Sequence, residues 1–108
     1  MIKLPEIHLI KKVTNTAFQE KVQKRAELFL QRVAAEVEHA AKQGYCGWSD
    51  RIRIWSETDK EEVLAMVEIV RKSCKKQGYY CHYEIDKTPN GLVTGVIFTV
   101  SWRTHWFE

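Results

Sequence analysis

Trp48, Arg51, Arg53 and Trp55 stand close together in the chain, and this mixture of side chains suits one kind of chemistry. A guanidinium pairs with a carboxylate or phosphate through a planar fork of donors, and an indole offers a flat face for stacking. Arranged on an open surface, such residues bind bases and phosphates. The same types carry most of the energy of protein–protein contacts. Tyr80 and His82 join the set if their strand lies in the same sheet. The competing account is structural: the tryptophans cover the edge of the core, and the arginines pair with Glu84 and Asp86 across the sheet.

No catalytic pattern emerges from the other reactive side chains. Cys46, Cys74, Cys81 and His82 are the natural zinc candidates, but their spacing matches no usual ligand pair. Alternation along a strand also sends Cys81 and His82 to opposite faces, so no metal is expected. Nucleophilic catalysis needs a thiol or hydroxyl beside a base, and nothing in the sequence places Cys46 next to a histidine. Glu84 and Asp86 read as solvated carboxylates on one strand face. The glycines at 44, 47, 78, 91 and 95 read as caps, turns and a strand position rather than a phosphate loop. The expectation is therefore a protein with no cofactor and no enzymatic activity.

Composition bounds the setting. The chain has 108 residues, enough for one α+β domain with its own core. The net charge of +3 comes from 17 basic and 14 acidic residues, well short of the footprint of a dedicated nucleic-acid binder. Three cysteines without a CxxC pair fit free thiols in a reducing cytosol better than a disulfide scaffold. No apolar run is long enough to span a membrane, and Pro5, Glu6 and His8 interrupt any signal-peptide core. A cytoplasmic protein without a membrane partner is expected.

The elements that must position these residues follow from periodicity. Residues 5–13 predict a short helix with Ile7, Ile10 and Val13 on one face; the alternative is a strand with Ile7 and Leu9 on one side. Thr14-Asn15-Thr16 reads as a turn and cap. A long helix over about 16–43 follows, with Phe18, Val22, Ala26, Phe29, Val33, Val37 and Ala40 in one stripe and Gly44 ending it. Residues 44–50 read as an irregular link. Arg51–Trp55 reads as a short strand with Ile52 and Ile54 facing one way. Ser56 and Thr58 begin overlapping capping boxes with Asp59 and Glu61, ahead of a helix over about 58–77 that Gly78 closes.

The C-terminal part predicts a β-hairpin, with strands near 80–86 and 92–102. If Asn90-Gly91 forms a two-residue type I′ turn, Ile85 faces Val96, Tyr83 faces Phe98, Cys81 faces Val100, and Tyr79 approaches Trp102. A longer loop forced by Pro89 would shift the pairs and keep the faces. The order is then α-α-β-α-β-β: a three-stranded, mostly antiparallel sheet with a C-terminal hairpin, two main helices on one face and a short N-terminal helix. The opposite face would carry Arg51, Arg53, Trp55, Tyr80, His82, Ile97 and Thr99. Open sheet edges and an uncovered face also leave room for a homo-oligomer. The tail from Arg103 to Glu108 is rich in aromatics.

Several short features together give a resemblance. Leu4-Pro5 opens a short helix, and Thr14-Asn15 precedes a long one that exits at Ala41-Lys42-Gln43-Gly44. A capped helix ends at Gln77-Gly78-Tyr79, and the final strand closes on Val100-Ser101-Trp102. In these the chain resembles small tailed-bacteriophage proteins of unassigned role. The extra Tyr45-Cys46-Gly47-Trp48 and the Trp-rich tail depart from that pattern. The resemblance implies phage origin and action on a host component, in the host cytoplasm. The reading is a non-enzymatic protein that binds and modulates a host protein; the alternative is a nucleic-acid or nucleotide binder using the arginine-aromatic face.

Overall fold

A computed structural model describes residues 1–102, so the aromatic tail lies outside the described residues. The elements are α1 (Ile7–Lys42), β1 (Gly47–Arg53), α2 (Glu57–Lys76), β2 (Tyr80–Lys87) and β3 (Val93–Ser101). The sheet is antiparallel in the order β1-β3-β2, so the last strand is central and pairs with both others. Both helices pack on one face of it. The fold is α+β, as the sequence predicts.

The inner face of β3 is the centre of the core. Val96, Phe98 and Val100 are fully buried. Val22, Ala26, Phe29 and Val33 of α1 and Val63, Met66, Val67, Val70 and Cys74 of α2 close over them. The apolar stripe that the sequence predicts for the long helix supplies the α1 side of this core, with Phe18 and Val37 half-buried at the margins.

One expectation fails at the N-terminus. The short helix and the long helix are a single helix of 36 residues, and Thr14-Asn15-Thr16 lies inside it. Neither Gly nor Pro stands there to break the ladder. The threonines and asparagine cost only a few tenths of a kcal/mol each, roughly, in a helix interior. Stopping and restarting would orphan four N–H and four C=O groups and require a second nucleation.

The continuous helix has a consequence for packing. Val13 and Val22 are nine residues apart, which at about 100° per residue puts them on opposite sides of the helix. The core begins at Val22, so Ile7, Leu9, Ile10 and Val13 stay exposed. The first part of α1 is thus an arm outside the core. The molecule measures 71 × 34 × 20 Å with a radius of gyration of 17.8 Å. A compact 100-residue domain has about 13 Å.

The sheet corrects two further expectations. β1 starts at Gly47 and ends at Arg53, so most of the supposed link is strand, and Ile54 and Trp55 lie beyond the strand. Gly47, Ser49 and Asp50 are poor strand formers, and pairing with β3 overrides them. The hairpin loop is not a type I′ turn. That turn would need Pro89 to donate in the closing pair, and proline has no N–H. Pro89 instead takes the second position of a four-residue turn, with Gly91 N–H donating to Thr88 O at 2.9 Å. Gly91 supplies the positive φ of 85° that the exit from this turn needs.

The three-residue loop offsets the strands by one residue. One extra residue on β3, Thr94, restores the register where Lys87 pairs with Val93 and Asp86 with Gly95. The expected pairs therefore hold: Ile85 with Val96, Tyr83 with Phe98 and Cys81 with Val100. Tyr79 and Trp102 meet edge to face at 6.2 Å.

The start of α2 ties the two helices together. Ser56 Oγ accepts from Asp59 N–H at 3.1 Å, and the Asp59 carboxylate accepts from Trp55 N–H at 3.0 Å and from Arg25 of α1 at 2.8 Å. Burial alone pushes the Asp59 carboxyl upward, but the Trp55 N–H and the Arg25 guanidinium outweigh it and hold the pKa below its ordinary value of 3.8. A depressed folded-state pKa adds stability above the unfolded value, which is lost as pH falls through the folded one. Asp59→Asn should therefore lower the urea midpoint most above about pH 4, and the deficit should shrink as the medium is acidified. Ser56→Ala should cost about 1 kcal/mol in the same assay, without that pH trend.

Candidate functional site

The outer face of the sheet is built from alternate residues of the three strands. Its rows run Ser49-Thr99-His82, then Arg51-Ile97-Glu84, then Arg53-Gly95-Asp86. Tyr80 stands at one end beside Ser101. Among the described residues no helix covers this face. Arg51, Arg53, Tyr80 and His82 are brought together there as the sequence predicts, and all four are exposed.

Arg51 is held across the sheet. Its Nε donates to Asp86 Oδ2 at 2.8 Å and its Nη2 to Thr94 Oγ1 at 3.1 Å. The guanidinium reaches Asp86 by passing over Gly95, where an added Cβ would lie 2.8 Å from Arg51 Cζ. Gly95 is thus the gap in β3 through which the two edge strands make contact. Arg53 lies outside this pairing, with its Cζ 4.2 Å from the ring centre of Trp55. Trp55 is 73% exposed, beyond the end of β1.

Trp48 does not belong to this set. It is paired with Val100 on the helix side of the sheet, 6.5 Å from the Phe29 ring and covered by Arg32 at 5.7 Å. Arg32 is in turn fixed by Asp50 at 2.8 Å. The structural account given for both tryptophans therefore applies to Trp48 alone. Extending the alternation of Ile52 back by two steps, through Asp50, places Trp48 on the inner face; treating residues 44–50 as a link hides this.

Charge on the outer face balances. Arg51 and Arg53 are matched by Glu84 and Asp86, and Arg51 is already engaged. The face offers a ring-and-guanidinium pair at one corner, a central Ile97 and polar neighbours, not a basic track. Cys81 and His82 lie on opposite faces, as alternation requires.

A run of exposed apolar side chains lies elsewhere, from the N-terminal residues into the arm of α1. Met1, Ile2, Leu4, Ile7, Leu9, Ile10 and Val13 are all at least 45% exposed. Helical geometry groups Ile7, Leu9, Ile10, Val13 and Ala17 on one side and His8, Lys11, Lys12 and Asn15 on the other. The sequence marks Ile7, Ile10 and Val13 as a face, and the turn expected at residues 14–16 would separate it from the core stripe. Run without a break, the same periodicity sets that face opposite the core stripe.

Compared with known protein families, curated proteins and solved structures, the chain matches none. No helix among the described residues is long and apolar enough to cross a membrane.

The two tryptophans should separate cleanly by mutation. Trp48→Ala removes a ring packed on Phe29 and should cost about 3 kcal/mol in urea unfolding. Trp55→Ala should leave stability within about 0.5 kcal/mol.

Proposed function

We propose that the protein is a non-enzymatic binding protein that docks on another protein through the arm of α1, and that the partner is a host protein of the phage the sequence resemblance implies. The observation that carries this reading is the arm itself. An apolar stripe with anchors at Ile7, Ile10, Val13 and Ala17 is the pattern of a helix that lies in a partner's groove. Contiguous exposed apolar side chains are the mark of an interaction surface.

The arm also lacks the means to hold itself. Glu6 at its N-cap makes no side-chain capping bond, and its first turn carries no acidic residue. Its isoleucines, valine, threonines and asparagine are modest helix formers. A helical segment of this length gains most of its stability from what it packs against. Lys3, Lys11 and Lys12 outnumber Glu6 along it, so the fitting groove is apolar with an acidic rim. Two such basic arms repel each other, which favours a different protein over a second copy. The nucleic-acid reading loses ground because Arg51 is engaged by Asp86 and the outer face is electrically balanced.

The test is a photo-crosslinker placed at residue 10 and, separately, at residue 82, in host lysate, followed by identification and purification of the captured protein. The reading expects one dominant protein captured from residue 10. It also expects at least tenfold weaker binding of that purified protein to Ile10→Asp than to His82→Ala. Three outcomes would sink it: no specific capture from residue 10, tight binding to anionic vesicles that Ile10→Asp abolishes, or salt-sensitive oligonucleotide binding lost on replacing Arg51 and Arg53 by alanine.

A further inference from the structure

Cys74 and Cys81 serve neither the outer sheet face nor the arm. Cys74 sits near the end of α2 and Cys81 on the inner face of β2, and both are buried. The intervening turn brings them together. The chain reverses at Gly78, where Tyr79 N–H donates to Cys74 O at 3.0 Å. The alternation of β2 then points Cys81 inward beside Val100. Both side chains belong to the same core cluster between the sheet and the helices. Cys74 also lines an open groove of about 600 Å³ with Val33, Val37, Tyr79, Val100 and Trp102.

We propose that Cys74 and Cys81 form a reversible dithiol–disulfide pair, oxidised by exchange with a small organic disulfide that enters this groove. The Cys74 thiolate attacks one sulfur of the incoming disulfide. A mixed S–S bond forms as the incoming S–S bond breaks, and the first small thiolate leaves and is protonated. Cys81 then loses its proton and its sulfur attacks Cys74. The Cys74–Cys81 bond forms, and the second small thiolate leaves and is protonated. Two protein thiols are oxidised to one disulfide, and the small disulfide is reduced to two thiols.

The surroundings divide the roles. Cys74 faces the groove, so it attacks first. Cys81 beside it holds the Cys74 thiol below its ordinary range, against the opposing effect of burial. The neighbouring Cys74 and burial both raise Cys81. Arg71 and Lys75 add positive charge nearby. Among the described residues no three His, Cys, Asp or Glu side chains come together, so the pair lacks the further ligands a metal site needs.

The test exposes the folded natural chain to oxidised glutathione, alkylates remaining thiols and maps the peptides by mass. Cys74 and Cys81 should be recovered joined to each other, with dithiothreitol restoring both thiols. In Cys81→Ser, glutathione should stay attached to Cys74; in Cys74→Ser, Cys81 should remain a free thiol. The proposal is overturned if both cysteines of the folded natural chain stay fully alkylatable under conditions that oxidise the urea-unfolded chain. It is equally overturned if glutathione is found only on Cys46.

Discussion

Everything in this molecule hangs on the inner face of β3. Phe98 sits at its middle, fully buried, and meets Phe29 of α1 edge to face with ring centres 5.1 Å apart. β3 is also the strand that both β1 and β2 need as a partner, so the same residues organise the sheet and the helix layer. Val96 and Val100 extend the contact in both directions, and each is paired on both sides, with Ile52 and Ile85 in one case and Trp48 and Cys81 in the other. The body of the protein is what can reach that surface.

This constraint explains which parts of the structure were legible in the sequence. The hairpin register was readable because Cys81, Tyr83, Val96, Phe98 and Val100 share one face, and a one-residue slip would turn that face outward. The core stripe of α1 is readable from period 3.6. The details set by non-local pairing were not. Gly47, Ser49 and Asp50 look like a loop until β3 lies beside them. Pro89 disqualifies the turn that Asn90-Gly91 advertises, yet a compensating bulge at Thr94 brings the strands back to the same pairs. Thr14-Asn15-Thr16 looks like a cap and is spanned by a helix that has stronger reason to continue.

That last misreading bears most on function. A short helix packing its own apolar face would be ordinary architecture. A single continuous helix turns the face away from the core and carries it beyond the body. The arginine-aromatic cluster changes in the opposite sense: Trp48 joins the core, Arg51 is tied to Asp86, and Arg53 with Trp55 is left at a corner. The weight of the functional reading moves accordingly from the sheet to the arm. The proposed thiol pair is a feature that sequence spacing conceals, because six residues lie between Cys74 and Cys81 and the chain reverses at Gly78.

Amide hydrogen exchange along α1 in the isolated chain tests the central claim most directly. Local opening costs little where a helix buries nothing and approaches the global unfolding free energy where it builds the core. The account predicts near-unprotected exchange for residues 9–17 and protection close to the global value for residues 26–40, with the change falling near Val22. Uniformly high protection from residue 9 onward would contradict it, because the arm would then be packed against a surface this structure leaves exposed.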